Sequence, residues 1–581
     1  MIYLRRNFKI LLLLLIVFGI YYPSIFSGFN LVDDNEVFGR LEDAQHFDII
    51  GLFRSADNKY YRPLTSLTFF FDKAVWGLEP SFMHLENVIL HALNTLLVFL
   101  IASTVFTSLN SRKLELPFLS AVLFALHPVN AETVNWISGR YDLLAAIFVL
   151  LATMFIQAGL EKRQRAYFLL SSLSLLVGCL AKESAIFFFP AAVFLVLSSN
   201  NRSRDLTSPL APPPAQKWKD VFPFLIIFVF YFLMRSSFSK AVKSGIGDAA
   251  GQVAQSVMIN IPDAARIALK VFGFYVKKLI MPLPLNFAIV AVNDIYVWVG
   301  LFSLLIGIFF LFRRVIFTDY LLVSLSLIST GIVVAFARTA WTPVAERYLY
   351  LSSAFFVIAL VGLVFLVLKR FHQERWIAAG LLPVILGAAL VTAQRSIVWQ
   401  DNLSLYEDAV RKSPGFVKLN NELASALKER GRIAEADALL SSSQVDDPKH
   451  VFLFVNQADL QLSEGNEDKA RSVILKAFQN KKSADPEALK MLARIDEARL
   501  FKITNSVKRA GIARDLIDTY GFLYPKTQDA LCLYRSGQLL LMLGQGKRAG
   551  DSFLRAYEAA PDGSYYKDAA KKLATRLRAS K

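Results

Sequence analysis

Two adjacent carboxylates, Asp33 and Asp34, follow the first hydrophobic stretch of the chain, in the segment GFNLVDDNEVF. Neighbouring like charges repel, so a chain that needed only solubility would spread its carboxylates further apart. A carboxylate on such a loop could act as a general base and remove the proton from an attacking hydroxyl group. The pair could also bind a divalent cation, although nothing in the sequence requires a metal. The pattern does not decide which of the two is the base.

Cationic side chains recur in three other short polar stretches, SGRYDLL, CLAKESAI and ERYLYLSS. They place Arg140, Lys182 and Arg347 at one surface of a predicted membrane domain. The guanidinium fork of arginine matches the oxygens of a phosphate, and lysine adds a compact positive charge. A phosphate held at this depth would belong to a lipid whose tail lies between the spans. The three cations are therefore candidate phosphate ligands.

Further polar and aromatic side chains are predicted at the same surface, where they would shape a pocket. They are Arg62, His84, His127, Glu132, Trp136 and Glu346. His84, Asn87, His91 and Asn94 share one face of a helix because they lie three, four and three residues apart. The deeper His91 and Asn94 could instead serve packing between helices. Any single residue could be an interfacial anchor, but several polar turns around one apolar body favour a shared pocket.

Ion transport is an alternative that these polar residues leave open. Transporters more often have broken spans with charges near the middle of the bilayer. Here the charges are predicted at one rim of the membrane, which favours chemistry at the membrane surface.

The elements that must position these residues are membrane helices. The chain has 581 residues, is 55% hydrophobic and contains 48 Phe. Its apolar runs lie before about residue 395 and are long enough to cross a bilayer. The first run has no small-x-small cleavage site, so we expect an uncleaved span. Eleven spans are predicted, near 10–26, 84–107, 116–126 (extending to about 136), 141–159, 166–181, 184–198, 220–235, 294–312, 319–337, 345–368 and 376–393.

The distribution of basic residues predicts the orientation of these spans. The net charge is +17, and Lys and Arg are densest in loops that an inside N-terminus would place in the cytoplasm. Topology therefore explains the charge, and no nucleic acid is expected as a partner. Residues 264–281 are predicted to lie in the membrane interface; counting them as a span would reverse everything downstream. The two cysteines are too few for a disulfide framework or a cysteine metal site.

After Trp399 the chain changes to amphipathic helices. Prolines at 414, 448, 486, 525 and 561 recur at intervals of 34, 38, 39 and 36 residues, and glycine turns split several of the units. This pattern is typical of the tetratricopeptide repeat, with a generic stack of helical hairpins as the alternative. The unit at 487–525 matches the pattern least. The sequence thus predicts an all-α fold: a polytopic membrane domain over residues 1–398, then an α-solenoid of about four repeats over residues 399–581, whose concave face would bind extended peptide.

Several blocks of the sequence resemble one known family. They are LFALHPVNAETVNWISGRYDLL, HLENVILHALN, CLAKESAI, ERYLYLSS and the segment that begins WQDNLSLYEDAV. Together they are similar to the transmembrane and tetratricopeptide-repeat protein O-mannosyltransferases and their bacterial relatives, within the C-type glycosyltransferase superfamily. The resemblance covers about residues 10–465. It implies the membrane fold of that superfamily.

The resemblance also implies an activity. It implies a hexosyltransferase that moves a mannose-like sugar from a polyprenyl (undecaprenyl or dolichyl) phosphate donor to a Ser or Thr hydroxyl of a protein, outside the cytoplasmic face and with inversion. In such enzymes an acidic residue after the first span acts as base, which corresponds here to Asp33 or Asp34. Arg140, Lys182 and Arg347 would then contact the donor phosphate. Protein acceptors would bind through the repeats, and membrane lipid would surround the spans.

Two departures from the family pattern matter. The eukaryotic members usually carry many more repeats, so a bacterial inner-membrane relative with periplasmic repeats is expected; in a eukaryote the site would be the endoplasmic reticulum membrane with lumenal repeats. The middle repeats are degenerate, which makes peptide binding less certain than the repeat fold. A catalytically inactive membrane-tethered scaffold, or the same chemistry on a glycan or lipid acceptor, remains open.

Overall fold

The computed structural model describes residues 2–30, 32, 34, 61–107, 115–198, 214–238, 260–312, 316–337, 341–447, 449–479 and 485–579. These residues are almost entirely helices and turns, with a single isolated bridge between Ile289 and Val344. The predicted all-α fold class is confirmed. The chain divides into two compact units, Met1–Ser413 and Pro414–Lys581.

The first unit contains sixteen of the described α-helices, joined in places by short 3₁₀ turns. They are α1 Ile2–Tyr21, α2 Pro63–Trp76, α3 Pro80–Thr107, α4 Glu115–Ala125, α5 Ala131–Asn135, α6 Arg140–Lys162, α7 Ala166–Ala181, α8 Phe188–Ser198, α9 Pro214–Phe238, α10 Ile261–Ile280, α11 Ile295–Phe312, α12 Ile316–Leu327, α13 Ser329–Ala337, α14 Tyr350–Arg370, α15 Ile377–Val398 and α16 Asn402–Lys412.

Seven of the described helical segments are long and apolar enough to cross a membrane, so the chain is a multi-pass membrane protein. They are Arg6–Phe26, Pro80–Thr107, Ile137–Lys162, Ile295–Phe312, Ile316–Ala337, Glu346–Arg370 and Glu374–Val398. The other four predicted spans also fall on helices. Three of these helices, α4, α7 and α8, are apolar but shorter than eighteen residues, and the fourth, α9, carries several charges.

The core of the first unit forms where α3, α4, α6 and α14 pack together. Two polar side chains of α3 cross-link this packing. His91 Nδ1 lies 2.7 Å from the Tyr350 hydroxyl, and the Asn94 amide donates to the same hydroxyl at 3.2 Å. Both side chains are fully buried. His91 and Asn94 therefore serve packing between helices, the alternative considered from their spacing.

Helix α10, which covers the predicted interfacial segment 264–281, packs backbone to backbone against α11. A Cβ at Gly273 would lie 2.1 Å from the Tyr296 carbonyl oxygen, so only glycine fits there. Arg266 and Lys270 pair with Asp294 on the exposed side. Lys278 on the same helix is buried. The interfacial placement of α10 stays a prediction.

Helix α16 belongs to the membrane unit, although the predicted domain boundary lies before it at 398/399. The Tyr406 hydroxyl donates to Asn30 Oδ1 at 3.1 Å. Lys412 Nζ donates to the Leu285 carbonyl at 2.7 Å. Arg395 at the end of α15 pairs with Asp408 at 2.7 Å. These bonds move the boundary to Ser413/Pro414, where the first of the spaced prolines stands.

Among its described residues, the second unit contains four antiparallel helix pairs and a final helix. The helices are α17 Val417–Glu429, α18 Ile433–Asp446, α19 Val451–Ser463, α20 Glu467–Gln479, α21 Pro486–Lys502, α22 Ser506–Thr527, α23 Leu531–Met542, α24 Gly546–Ala559 and α25 Lys567–Ala579. Three pairs turn through a glycine with positive φ: Gly431, Gly465 and Gly544. The third pair, α21–α22, turns through residues 503–505 without glycine.

Candidate active site

Asp34 is fully buried and is held by hydrogen bonds from two chain segments. Its Oδ2 accepts from the Asn30 backbone N–H at 2.9 Å. Its Oδ1 accepts from the Ser138 backbone N–H at 3.2 Å and from the Ser138 hydroxyl at 2.5 Å. These donors fix the orientation of the carboxylate and compensate its burial. Asp33, the other predicted base, lies outside the described residues.

A compact run of turns between α4 and α6 carries Ser138 to this position. His127 caps the first turn, with its Nδ1 accepting from the Val129 N–H at 3.4 Å. The short helix α5 follows, and then a 3₁₀ turn over Ile137–Gly139. A Cβ at Gly139 would lie 2.0 Å from the Thr133 carbonyl oxygen, so the chain can fold back on α5 only with glycine there. This close approach positions the residues on both sides of Gly139.

A cavity of about 250 Å³, here called the Asp34 cavity, opens beside the carboxylate. Its lining residues are Gly28, Phe29, Asn30, Asp34, His84, Asn135, Trp136, Trp399, Gln400 and Asn402. Four polar atoms of these residues are buried without a hydrogen-bond partner among the described residues: His84 Nδ1, Asn135 Oδ1, Trp136 Nε1 and Trp399 Nε1. Each unpaired buried polar group costs about 1–3 kcal/mol. The cavity is therefore suited to a hydrogen-bonding ligand.

A second cavity of about 380 Å³, here called the Arg347 cavity, lies among α6, α14 and the turn after α7. Its lining residues are Asp142, Ala145, Ala146, Ser184, Ala185, Leu327, Thr330, Arg347, Tyr348, Tyr350 and Leu351. Lys182 stands beside it, because Lys182 Nζ contacts both carboxylate oxygens of Asp142 at 2.6 and 2.7 Å. Burial lowers the pKa of Lys182, and the charge of Asp142 opposes that effect.

Arg347 is bound to the same turn region as Ser138. Its Nη1 donates to Glu132 Oε1 at 2.5 Å, and its backbone N–H donates to Glu132 Oε2 at 3.2 Å. Its guanidinium carbon lies 5.1 Å from the centre of the Trp136 ring. Trp136 also lines the Asp34 cavity. One indole therefore contacts the cation of one cavity and forms a wall of the other.

Arg140 lines neither of these two cavities. It is 1% exposed and donates to Asp72 Oδ2 at 2.5 Å and to Glu86 Oε2 at 2.8 Å. Its guanidinium also lies over the Phe69 ring at 4.6 Å. Burial raises the pKa of Asp72 to about 7, and the charge of Arg140 opposes that rise. Arg140 thus joins α2, α3 and α6 behind the Asp34 cavity.

Three other predicted pocket residues also line neither cavity, and each contacts a neighbouring carboxylate, carbonyl or ammonium group. Arg62 makes a bidentate contact with Glu183: Nε donates to Oε2 at 2.9 Å and Nη2 donates to Oε1 at 2.6 Å. His127 Nε2 lies 3.0 Å from the Leu279 carbonyl. Glu346 accepts from Lys278 Nζ at 2.6 Å. The structure thus brings Asp34, His84 and Trp136 to one cavity and Arg347 to the other, and it pairs Glu132 with Arg347 and Lys182 with Asp142.

Several residues at these cavities were missed from the sequence. They are Asn30, Ser138, Asp142, Trp399, Gln400 and Asn402. Ser138 and Asp142 do lie within the block NWISGRYDLL, which already carried the resemblance. Trp399 and Asn402 fell beyond the predicted domain boundary. The described residues contain no group of three or more His, Cys, Asp or Glu arranged for a metal ion. Asp33 is not among them, so the possible metal at the aspartate pair stays a prediction.

Fold and site together define a multi-pass membrane protein with two polar cavities in its membrane unit and a helical-repeat tail. Residues 80–212 match the family model described as dolichyl-phosphate-mannose-protein mannosyltransferase. This match contains one wall of each cavity, including Ser138 and Asp142, while Asp34 and Arg347 lie outside it.

Curated relatives match part of the chain. Protein O-mannosyl-transferase TMTC1 of Mus musculus is 37% identical over 169 residues, which is 27% of this chain and 17% of that protein. Tmtc1 of Drosophila melanogaster is 35% identical over 136 residues, 23% of this chain and 15% of that protein. TMTC2 of Homo sapiens is 39% identical over 106 residues, 18% of this chain and 12% of that protein. The chain thus spans less than a fifth of each of these relatives. The matches confirm the resemblance over this region.

A solved structure, the APC/C hetero-tetramer Cut9–Hcn1, matches at 13% identity over 82% of this chain and 98% of that chain. Its TM-score is 0.14, which is too low to support a conclusion about the fold.

Proposed function

We propose that this protein is a membrane glycosyltransferase that moves a mannose-like hexose from a polyprenyl-phosphate donor to a Ser or Thr hydroxyl of a protein. The observation that carries the proposal is a pair of cavities linked by Trp136, whose ring lines the Asp34 cavity and lies 5.1 Å from the guanidinium carbon of Arg347 in the other. One contains a buried, oriented carboxylate with unpaired hydrogen-bonding atoms around it, and the other contains an arginine. The names of the matched relatives support the same reaction class.

The acceptor hydroxyl would enter the Asp34 cavity, and its oxygen would attack the anomeric carbon of the sugar. The hydroxyl proton passes to the Asp34 carboxylate. The bond between the anomeric carbon and the phosphate oxygen breaks, its electron pair stays on that oxygen, and polyprenyl phosphate leaves. Attack from the face opposite the leaving phosphate inverts the anomeric centre. His84, Trp136 and Trp399 would hydrogen-bond the substrate at their unpaired nitrogen atoms.

The leaving phosphate would be held at the Arg347 cavity. A guanidinium has five N–H donors on two edges, so it can contact Glu132 and a phosphate at the same time. Lys182 would add positive charge through its position beside Asp142. Arg140 is assigned a positioning role, because both of its carboxylate partners lie outside the two cavities. The ion pairs of Arg62 and Glu346 would hold the surrounding turns.

The proposal places the reaction on the extracytoplasmic side, in a bacterial inner membrane with periplasmic repeats or in the corresponding eukaryotic membrane. The repeats would present the protein acceptor. No metal is required by this scheme.

The test is Asp34→Asn in the full chain, with Asp294→Asn as the matched control. Asp294 is an exposed carboxylate paired with Arg266 and Lys270. Membranes carrying each variant are supplied with polyprenyl-phosphate mannose, and hexose addition to proteins is measured by mass spectrometry. We expect Asp34→Asn to lower transfer by about 10²–10⁴-fold, the usual contribution of a general base. Unchanged transfer would refute the assignment of Asp34. Absence of transfer by the unaltered protein with any protein, glycan or lipid acceptor would favour the scaffold hypothesis.

A further inference from the structure

The two helices of the third pair in the repeat unit, α21 and α22, are joined by an unusual turn, here called the 501–509 turn. The other three pairs reverse direction through a glycine, but this pair reverses through Ile503, Thr504 and Asn505. The turn is well formed, because Asn505 Oδ1 accepts from the N–H groups of Val507 and Lys508 at 3.1 Å and so caps α22. The same pair forms the unit that matched the repeat pattern least. Its departure from the pattern is therefore local and ordered.

Two large apolar side chains flank this turn in nearly full contact with solvent. Phe501 is 86% exposed and Val507 is 80% exposed. Single apolar residues on a surface are ordinary, but a Phe and a Val exposed to this extent at one turn form a candidate contact site.

The charge around the turn has one sign. Residues 498–514 contain Arg499, Lys502, Lys508, Arg509 and Arg514, and no Asp or Glu. Arg499 and Lys502 pair with Asp468 and Glu467 at the start of α20. Lys508 and Arg509 are exposed, and neither forms an ion pair within the described part of the chain. The exposed apolar pair thus stands next to two cations that have no opposite charge there.

We infer that the 501–509 turn docks on an anionic lipid surface, with Phe501 and Val507 in the interface and Lys508 and Arg509 at the headgroups. Apolar side chains beside Lys and Arg suit a membrane surface, where anionic headgroups attract the cations. The seven candidate spans belong to the same chain as the turn, so they tether it to a bilayer. Tethering raises the effective concentration of lipid at the turn, and a weak contact can therefore be populated. The inference is independent of glycosyl transfer.

The chain offers a matched control in another exposed valine. Val445 at the end of α18 is 82% exposed, close to the value for Val507. It is followed by Asp446 and Asp447, whereas Val507 is followed by Lys508 and Arg509. Consecutive antiparallel helices joined by short turns place the turn after α18 and the turn after α21 at opposite ends of the pairs. The two valines therefore differ in neighbouring charge and in end of the stack, but not in exposure.

The test uses the full chain in nanodiscs, with Val507→Cys or Val445→Cys labelled by an environment-sensitive dye. The native Cys179 and Cys532 are buried, and the unsubstituted chain measures their background labelling. The discs contain either phosphatidylcholine alone or equal parts phosphatidylcholine and phosphatidylglycerol. We expect a blue shift and quenching by spin-labelled lipid for Val507→Cys, stronger with phosphatidylglycerol. Neither effect is expected for Val445→Cys.

Charge reversal provides the second arm. Lys508→Glu with Arg509→Glu in the Val507→Cys chain should abolish the extra shift caused by phosphatidylglycerol. Equal emission at both positions in all discs would overturn the inference. A shift of the Val507→Cys dye without quenching by spin-labelled lipid would also overturn it, since the turn would then contact protein.

Discussion

Ser138 donates both its backbone N–H and its hydroxyl to one oxygen of Asp34, at 3.2 and 2.5 Å. The two residues are 104 positions apart in the sequence. A buried carboxylate held in this way keeps one orientation toward its cavity. The hydroxyl of Ser138 is therefore a positioning group that acts through Asp34.

Ser138→Ala should lower kcat for sugar transfer by roughly 10- to 100-fold, because a hydrogen bond to a charged group contributes about 1.5–3 kcal/mol. The KM for the donor should change little, since the proposed phosphate contacts lie in the other cavity. Steady-state kinetics with purified donor and a peptide acceptor measures both. Ser174→Ala removes a hydroxyl that donates to the Phe148 carbonyl and serves as control. An effect on donor KM alone would contradict the positioning role.

Arg347→Lys should raise the donor KM by about tenfold while the chain still folds. Lysine keeps the charge opposite Glu132 but loses the planar fork that contacts two oxygens. Donor-concentration series give the KM, and a thermal melt reports folding. Arg62→Lys is the control, because Arg62 pairs with Glu183 and lines neither cavity. Equal effects of the two substitutions would argue against Arg347 as a phosphate ligand.

The stability of the Asp72→Asn variant relative to the unsubstituted chain should increase as pH rises. The pKa of Asp72 is raised from 3.8 to about 7, chiefly by burial. The folded state therefore holds the proton more tightly, and this contribution to stability is lost as pH rises through about 7. The difference in Tm between variant and parent should grow from about pH 4 to above pH 7. Asp294→Asn, where the carboxyl pKa is lowered by Lys270, should not show that growth. A constant difference for Asp72→Asn would show that its proton is not linked to folding.

Two truncations should separate the site from the repeats. A chain ending at Ser413 keeps α16 and the Asp34 cavity, whereas a chain ending at Val398 loses Trp399, Gln400 and Asn402 from its wall. We expect binding of a soluble mannosyl-phosphate analogue to the first chain only, measured by calorimetry. Equal binding by both chains would show that residues 399–413 are not needed for the cavity, in line with a domain boundary at 398/399.

Gly537→Ala and Gly521→Ala should change the stability of the repeat unit in opposite directions. A Cβ at Gly537 would lie 2.8 Å from the Phe553 ring, and such overpacking costs about 1–3 kcal/mol. A Cβ at Gly521 would meet nothing within 4 Å, so alanine should gain up to about 1 kcal/mol from helix propensity. Urea unfolding followed by protease resistance of the tail measures both free energies. Two changes of the same sign would contradict the packing of α23 against α24.

The sequence predicted what depends on local pattern. Apolar runs located helices at every predicted span, because hydrophobic period acts within one segment. The spaced prolines were a less exact guide to the helix pairs, since Pro525 lies inside α22. The number of membrane spans is harder to predict from apolar runs than the positions of the helices. Helix α4 has only 11 residues, and length decides whether an apolar helix can cross a bilayer alone.

Pairing across distant segments could not be predicted in the same way. Arg140, Lys182 and Arg347 look alike in sequence as cations beside apolar runs. The structure pairs Arg140 with Asp72 and Glu86, and Arg140 lines neither cavity, whereas Arg347 lines one. Which carboxylate neutralises which cation depends on tertiary packing, and no local pattern encodes it. The same reason explains why no local pattern shows that Lys278 is buried against Glu346.

The indole of Trp136 has a thermodynamic consequence. A ligand that shifts this ring from one side changes the affinity of the other side, and the free energy of that coupling is the same in both directions. Under the proposed function, whatever factor a loaded sugar carrier applied to the affinity for the incoming hydroxyl, the hydroxyl would apply to the affinity for the carrier. A smaller side chain at position 136 would make the two equilibria independent.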